Sequence, residues 1–167
     1  MKEIQAIERV TEFHKKFDNP INLTPTLPNR RLAVLRVNLI QEELDELNTA
    51  ILNKDIVEIA DALSDLQYVL TGTYIAFGLQ NIAHELFEEV HRSNMSKLCK
   101  TKEEAEETQK YYASKRKMET YLIPRGTEFE VRKVSDDKTL KSVNYSPCNL
   151  KPIIEKSMGS AGITKTR

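Results

Sequence analysis

The sequence predicts a mainly α-helical fold: an antiparallel helical bundle, followed by a small C-terminal β-hairpin and a short helix. Three observations carry this reading. Apolar residues recur at intervals of three and four along most of the first 117 residues, the spacing that lines one face of a helix. Only 5 of the 167 residues are glycine, which disfavours an all-β fold. Near Thr120 the period changes, and Thr127, Phe129, Val131, Val134 and Thr139 bring strand-favouring side chains together.

Taken in order, Ile4, Ile7, Val10, Phe13 and Phe17 make the first helix amphipathic. Asn19-Pro20 ends it, because proline lacks an amide donor and restricts the residue before it. Residues 20–28 contain Pro20, Pro25 and Pro28 and read as an extended surface connection. Asn29 caps a second helix with the core stripe Leu32, Leu35, Leu39, Ile40, Leu44, Leu47 and Ile51. Residues 53–55 form a short turn, and Asp55 caps a third helix that runs to about Phe77, ahead of Gly78. So short a turn makes these two helices antiparallel neighbours.

Asn81 is expected to cap a fourth helix with Ile82, Leu86, Phe87 and Val90 inward. Thr101 and Glu104 form a capping box that opens a fifth helix to about Lys117. Its apolar content is thin (Ala105, Tyr111, Tyr112), so it lies on the surface or against a partner. A hairpin is expected to join residues 128–134 to 139–143 through a tip at Asp136-Asp137-Lys138. Ser146-Pro147 then starts a short helix holding Leu150, Ile153 and Ile154. The implied organisation is a helical domain over 1–117, an extension over 118–156 and a disordered tail over 157–167.

Composition narrows the function. Lysine plus arginine number 25 and aspartate plus glutamate 25, so no bulk charge points to nucleic acid or a membrane surface. No apolar run reaches the roughly 18 residues of a membrane span. The glycine loops GxxxxGK[ST] and GxGxxG are both missing, which disfavours nucleotide binding of that kind. Cys99 and Cys148 are too few for a disulfide framework and lack the spacing of a zinc site, so the expected compartment is the reducing cytoplasm.

The strongest chemical signal is acidic. Glu42, Glu43 and Glu46 crowd one helix, and Glu58, Asp61 and Asp65 form a row on the next. Like charges three or four apart destabilise a helix by roughly 0.2–0.5 kcal/mol per pair. The plain alternative is a solvated acidic face. Two features argue against it: no lysine or arginine follows four residues after Glu42, Glu43 or Glu46, and the row from Glu58 to Asp65 contains no base. A hard cation such as Mg²⁺ takes oxygen ligands and bridges carboxylates to phosphates, so it is the natural partner. A di-iron site is disfavoured, because Glu88 and His91 form the single Glu-x-x-His pair in the chain. Arg92-Ser93-Asn94-Met95-Ser96-Lys97 brings two cations and an amide to a helix end, either complementing the helix dipole or clamping a phosphate.

Glu42-Glu43-x-x-Glu46 followed by Glu58-x-x-Asp61 resembles the EExxE…ExxD signature of the MazG-like all-α nucleoside triphosphate pyrophosphohydrolases. Phe13-His14, Leu35-Arg36, residues 61–69 and Ser93-Asn94-Met95-Ser96-Lys97 look like a narrower branch, labelled Cof-like or phosphoribosyl-ATP pyrophosphohydrolase-like. The resemblance covers about residues 7–115. It implies a MazG-like bundle in which Glu43, Glu46, Glu58 and Asp61 hold Mg²⁺ or Mn²⁺. It gives Glu42 a supporting, ligating or proton-accepting role. Asn94 and Lys97, with Arg92, become contacts to sugar or phosphates, and Lys97 steadies the triphosphate during catalysis. Asp65 orients a ligand or a sugar hydroxyl, or is a helix-surface acid, and Tyr68 packs in the core or lines a base pocket. The implied reaction converts a (d)NTP to the monophosphate and pyrophosphate. The implied assembly is a homodimer or homotetramer. The competing class is a non-catalytic helical module that keeps the fold and binds nucleotides or a partner.

Overall fold

The computed structural model describes residues 6–161. It is mainly helical, with one two-stranded antiparallel sheet. The chain divides into two units, one running to His84 and resuming at Pro152, the other covering Glu85–Lys151. The boundary expected at 117 therefore lies inside the second unit. That unit is assembled by side chains of the fourth helix bonding to residues far along the chain.

In the first unit, α1 (Ala6–Lys16) turns off at Asp18, whose φ of 53° is left-handed, and the Asn19 amide donates to the His14 carbonyl at 2.8 Å. α2 (Arg30–Asn53) begins at Asn29, whose side chain accepts from the Leu32 amide. α3 (Ile56–Ala76) begins at Asp55, which accepts from the amides of Val57 and Glu58. Between α2 and α3, Lys54 adopts φ 57°, and its amide closes onto Ala50 and Ile51. One left-handed residue reverses the chain and lays the two helices side by side.

The proline-rich connection is bound more closely than an extended surface strand would be. The Asn22 side chain donates to Ala76 O at 2.7 Å, the Asn22 amide to Ile75 O and the Thr26 amide to Phe77 O. These bonds satisfy carbonyls at the C-terminal end of α3, where Ile75 and Ala76 are buried. Gly78 makes the approach feasible: its φ is 69°, and a Cβ there would sit 1.9 Å from Thr24 O. Asn81 does not cap the fourth helix as expected. A 3₁₀ turn, Gln80–Ile82, leads into α4 (Ala83–Met95), and Asn81 Nδ2 donates to Leu23 O instead. The long-range bond to the connection takes the side chain that local sequence would assign to a cap.

His14 and Arg36 form a buried pair beneath Gly72. His14 is 1% exposed and Arg36 7%. His14 Nδ1 donates to Pro20 O at 3.0 Å, which leaves Nε2 to accept from Arg36 Nη2 at 3.3 Å. Burial lowers the histidine's pKa, against the Pro20 carbonyl, and the neighbouring guanidinium lowers it further. A Cβ at position 72 would lie 2.9 Å from Arg36 Nη1, so glycine leaves room for the pair.

In the second unit, α5 (Lys102–Arg116) packs on a hairpin. Thr101 Oγ accepts from the Glu104 amide, while Glu104 Oε2 reaches back to the Lys100 amide and Oε1 to the Ser142 hydroxyl. Strand β1 (Thr120–Arg125) pairs with β2 (Glu128–Lys133) across Gly126-Thr127. The expected hairpin of 128–134 with 139–143 is thus corrected: the partner of residues 128–133 is 120–125. Gly126, at φ 64°, turns the chain in two residues. The tip at Asp136-Asp137-Lys138 does turn, with Asp137 at φ 56°, and the residues beyond it meet β2 through the isolated bridge Arg132–Thr139 and the Leu140 amide on Val131 O at 2.9 Å without forming a strand. Cys99 and Phe129 exchange two backbone bonds of 2.8 Å. Cys99, Ala105, Val131 and Leu140 form the buried core, with Tyr112, Leu122 and Phe129 against it.

Residues 146–149 do not start a helix, because α4 recruits their backbone. Ser93 Oγ donates to Ser146 O, the Ser146 amide donates to Ser96 Oγ, and the Asn149 amide donates to Glu89 Oε1. α6 begins instead at Lys151 and runs to Ala161. It therefore occupies residues 157–161 of the stretch expected to be disordered, since helical spacing continues through Met158. Residues 162–167 of that stretch, and Ile4 of the first helix, lie outside the described residues.

Glu130 ties the hairpin together. Its side chain accepts from Arg125 Nη2 and Arg132 Nε at 2.7 Å each and from the Thr139 hydroxyl. The Arg132 bond, outweighing desolvation, is the main cause holding its pKa at about 2. A depressed carboxylate pKa contributes stability above the unfolded value, and that stability is lost as pH falls toward the folded value. Unfolding of this unit should therefore become easier from about pH 4.5 down to about pH 2. Glu130→Ala should cost roughly 2–3 kcal/mol in urea unfolding at pH 7, at the low end for a buried pair because both guanidinium groups reach solvent.

Candidate active site

The α2–α3 hairpin decides which carboxylates meet. In an antiparallel pair, residues equidistant from the turn stand level. Glu43 and Asp65 are equidistant from Lys54, and Glu46 is nearly level with Asp61. Glu58 lies closer to the turn, level with Ala50. Ala50 and Ala62, 5% and 3% exposed, are small buried residues on this seam. They let the two backbones approach, and that carries the flanking acids toward one another.

A groove of about 750 Å³ opens along the hairpin. Glu42, Asp45 and Glu46 line it from α2, and Glu58 and Asp61 from α3, with the amides Asn38, Gln41 and Asn53 among them. Glu43 is half-buried beside these acids. Its pKa is raised, first by burial and then by Asp65, Glu46, Glu42 and Asp61 in that order. Four of the six acids singled out in the sequence thus act on Glu43, Asp65 and Asp61 from across the hairpin and Glu46 and Glu42 from its own helix. Glu58, the sixth, joins them as part of the groove wall rather than among the charges acting on Glu43.

None of these six carboxylates makes an ion pair within 4.0 Å among the described residues. Asp45 differs, since Gln41 Nε2 donates to it at 2.8 Å. The donor set is therefore all hard oxygen, strongly anionic and without a protein counter-charge, which suits a hard divalent cation. Among the described residues, no three histidine, cysteine, aspartate or glutamate side chains converge tightly enough to hold an ion as they stand.

Asp65 gains most from the structure. Sequence spacing left it open between a ligand-orienting residue and a surface acid. It proves to be the strongest charged neighbour of Glu43. The signal was available in the distance of each residue from Lys54. Tyr68, one turn on, is 39% exposed and meets Phe13 edge-on at 5.7 Å. It does not lie in a sealed core.

Arg92, Asn94 and Lys97 belong to the second unit. The Arg92 guanidinium is fully engaged: Nε and Nη2 bond Glu89 at 2.7 and 2.8 Å, Nη1 bonds Ser146 Oγ at 2.9 Å, and Nη2 also reaches Pro147 O. These bonds set Arg92 to anchoring the 146–149 segment, and the Arg92 bond is the main cause holding Glu89 at a pKa of about 2. Asn94 Nδ2 donates to Val90 O, while its Oδ1 accepts from Lys97 Nζ at 2.7 Å. Lys97 keeps two further N–H donors for another acceptor.

A helical hairpin that gathers carboxylates around an open groove defines a nucleotide pyrophosphohydrolase-type fold. The family described as Phosphoribosyl-ATP pyrophosphohydrolase matches residues 10–94, just over half of the chain. The chain belongs to that family, within the MazG-like all-α NTP pyrophosphohydrolase superfamily. The match takes in all six acids and ends at Asn94. An uncharacterized protein of Acanthamoeba polyphaga mimivirus is 34% identical over 82 residues, which are 47% of this chain and 32% of that protein. The chain thus spans about a third of the length of that relative. No helix among the described residues is long and apolar enough to cross a membrane.

The raised Glu43 pKa has a consequence for stability. A carboxylate whose folded-state pKa lies above its unfolded value opposes folding once it ionises, so removing its charge stabilises the chain at neutral pH. Glu43→Gln should therefore raise the melting temperature in EDTA at pH 7. The gain should be about 0.5–1 kcal/mol, from like-charge pairs worth roughly 0.2–0.5 kcal/mol each.

Proposed function

We propose that the protein is a metal-dependent nucleoside triphosphate pyrophosphohydrolase. It cleaves a (d)NTP between the α and β phosphates, giving the monophosphate and pyrophosphate. The observation that carries this reading is the set of facing carboxylates around Glu43, which has no cationic partner from the protein. Family membership supplies the reaction class.

Glu43, Glu46, Glu58 and Asp61 would hold Mg²⁺ or Mn²⁺, with Asp65 beside Glu43. A divalent cation there neutralises charge on the phosphate chain and lowers the pKa of water. Glu42 is exposed on the groove wall. Its carboxylate would support the metal, ligate it or accept a proton from the water attacking the α-phosphorus. The groove's open side admits a phosphate chain, and its amides offer donors to it. For Lys97 and Asn94, phosphate contact remains the expectation, and Lys97→Ala would register it as a higher KM for the triphosphate.

A homo-oligomer is part of the same reading. Val37, Leu52, Ile56 and Val57 on α2 and α3 are 65%, 73%, 74% and 70% exposed. Apolar side chains so open to water favour burial against another surface. Light scattering coupled to gel filtration should give a multiple of the 19.2 kDa chain mass, and a strictly monomeric species would refute this part.

The decisive assay measures pyrophosphate and orthophosphate from a panel of NTPs and dNTPs with Mg²⁺ or Mn²⁺. The expected product is pyrophosphate, and Asp61→Asn or Glu46→Gln should lower kcat by about 10²-fold or more, in line with loss of a transition-state charge stabiliser. Orthophosphate as the first product would refute α–β cleavage. Metal-enhanced nucleotide binding without turnover would instead favour a non-catalytic binding module.

A further inference from the structure

The second unit holds a cleft of opposite character to the acidic groove. It lies between the C-terminal turn of α5 and residues 141–145, with a volume of about 610 Å³. Tyr111, Tyr112 and Tyr145 supply three aromatic rings, and Arg116 and Lys141 two cations. Met118 and Val143 add an apolar floor, and no carboxylate lines it. We propose that this cleft binds a free nucleotide independently of divalent metal.

The rings are held in place by their hydroxyls. Tyr112 OH accepts from the Lys141 amide at 3.2 Å, and Tyr145 OH is paired with Ser93 Oγ at 2.9 Å. Tyr111 stands edge-on to Tyr112, with ring centres 5.2 Å apart at 86°, and is 41% exposed. A fixed ring beside an exposed one offers a planar base a preformed surface at little conformational cost.

The cations, Arg116 and Lys141, have no carboxylate partner among the described residues. Lys141 Nζ rests 4.4 Å over the Tyr145 ring, so the ammonium is held at the edge of the aromatic wall. A planar group against tyrosine with an anion at Arg116 and Lys141 is the recognition pattern of a nucleoside phosphate. The volume suits one small ligand, since such pockets run from about 300 to 1,000 Å³. A nucleic acid strand would need a continuing basic track. The first turns of α5 instead carry Glu103, Glu104, Glu106 and Glu107, and the chain has no net charge.

Arg116 and Lys141 line the cleft and no carboxylate does, Glu104 standing behind the Ser142 hydroxyl, and this separates it experimentally from the α2–α3 groove. The test is calorimetric titration of the full chain with ATP in EDTA. Saturable binding is expected. Tyr111→Ala, Arg116→Ala and Lys141→Ala should each weaken it by about tenfold, the loss typical of a stacking or phosphate contact. Asp61→Asn should leave it unchanged. All three cleft positions reach solvent, and circular dichroism would verify each fold. The proposal is overturned if ATP fails to bind in EDTA, or if Asp61→Asn abolishes binding while the cleft variants do not. It is also overturned if inorganic triphosphate binds as tightly as ATP, or if an oligothymidylate binds where mononucleotides do not. Pyrophosphate release by the acidic groove is read separately, so either result stands apart from the reaction proposed above.

Discussion

Electrostatic repulsion across the α2–α3 hairpin is the constraint on which the first unit depends. The Asp55 cap and the left-handed Lys54 fix the reversal, and the reversal fixes the pairing of residues along the two helices. Glu43 then stands level with Asp65, and Glu46 nearly level with Asp61. The small residues Ala50 and Ala62 bring the helices close where larger ones would hold them apart. The fold therefore stores unfavourable charge at a position that packing alone does not require. A carboxylate perturbed in this way beside an open groove marks a candidate functional site.

The remainder of that unit serves to brace the hairpin. α1 is fastened by the His14–Arg36 pair, whose hydrogen bonds select one histidine tautomer and whose space is left by Gly72. The proline-rich connection satisfies the last carbonyls of α3 through Asn22 and Thr26. Neither device touches the acids. Both limit the freedom of the helices that carry them. Arg92 plays a comparable part in the second unit, where it is spent on Glu89 and on residues 146 and 147.

The two units differ in chemistry. The groove of the first is lined by carboxylates without a lysine or arginine, and the cleft of the second by tyrosines with a lysine and an arginine. On the function proposed above, a divalent metal would reverse the sign of the groove toward phosphates, whereas the cleft presents its lysine and arginine without one.

Local sequence determined much of this protein by itself. The caps at Asn29, Asp55 and Thr101 were legible because a capping side chain bonds within three residues. The left-handed turn at Gly78 and the candidate acids were legible for the same reason, since spacing on a helix fixes which residues share a face. Tertiary structure decided the rest. Asn81 left its cap for Leu23, residues 128–133 chose 120–125 as their strand partner, and Ser146-Pro147 yielded its backbone to α4. For Asn81 and Ser146-Pro147 a partner distant in sequence outbid the local one, whereas the strand took the nearer segment across the two-residue turn Gly126-Thr127. Asp65 and the tyrosine cleft belong to the same category. The ranking of carboxylates around Glu43 depends on helix register, and the cleft depends on Lys141 and Tyr145 returning to α5, distances that no helical or strand periodicity encodes.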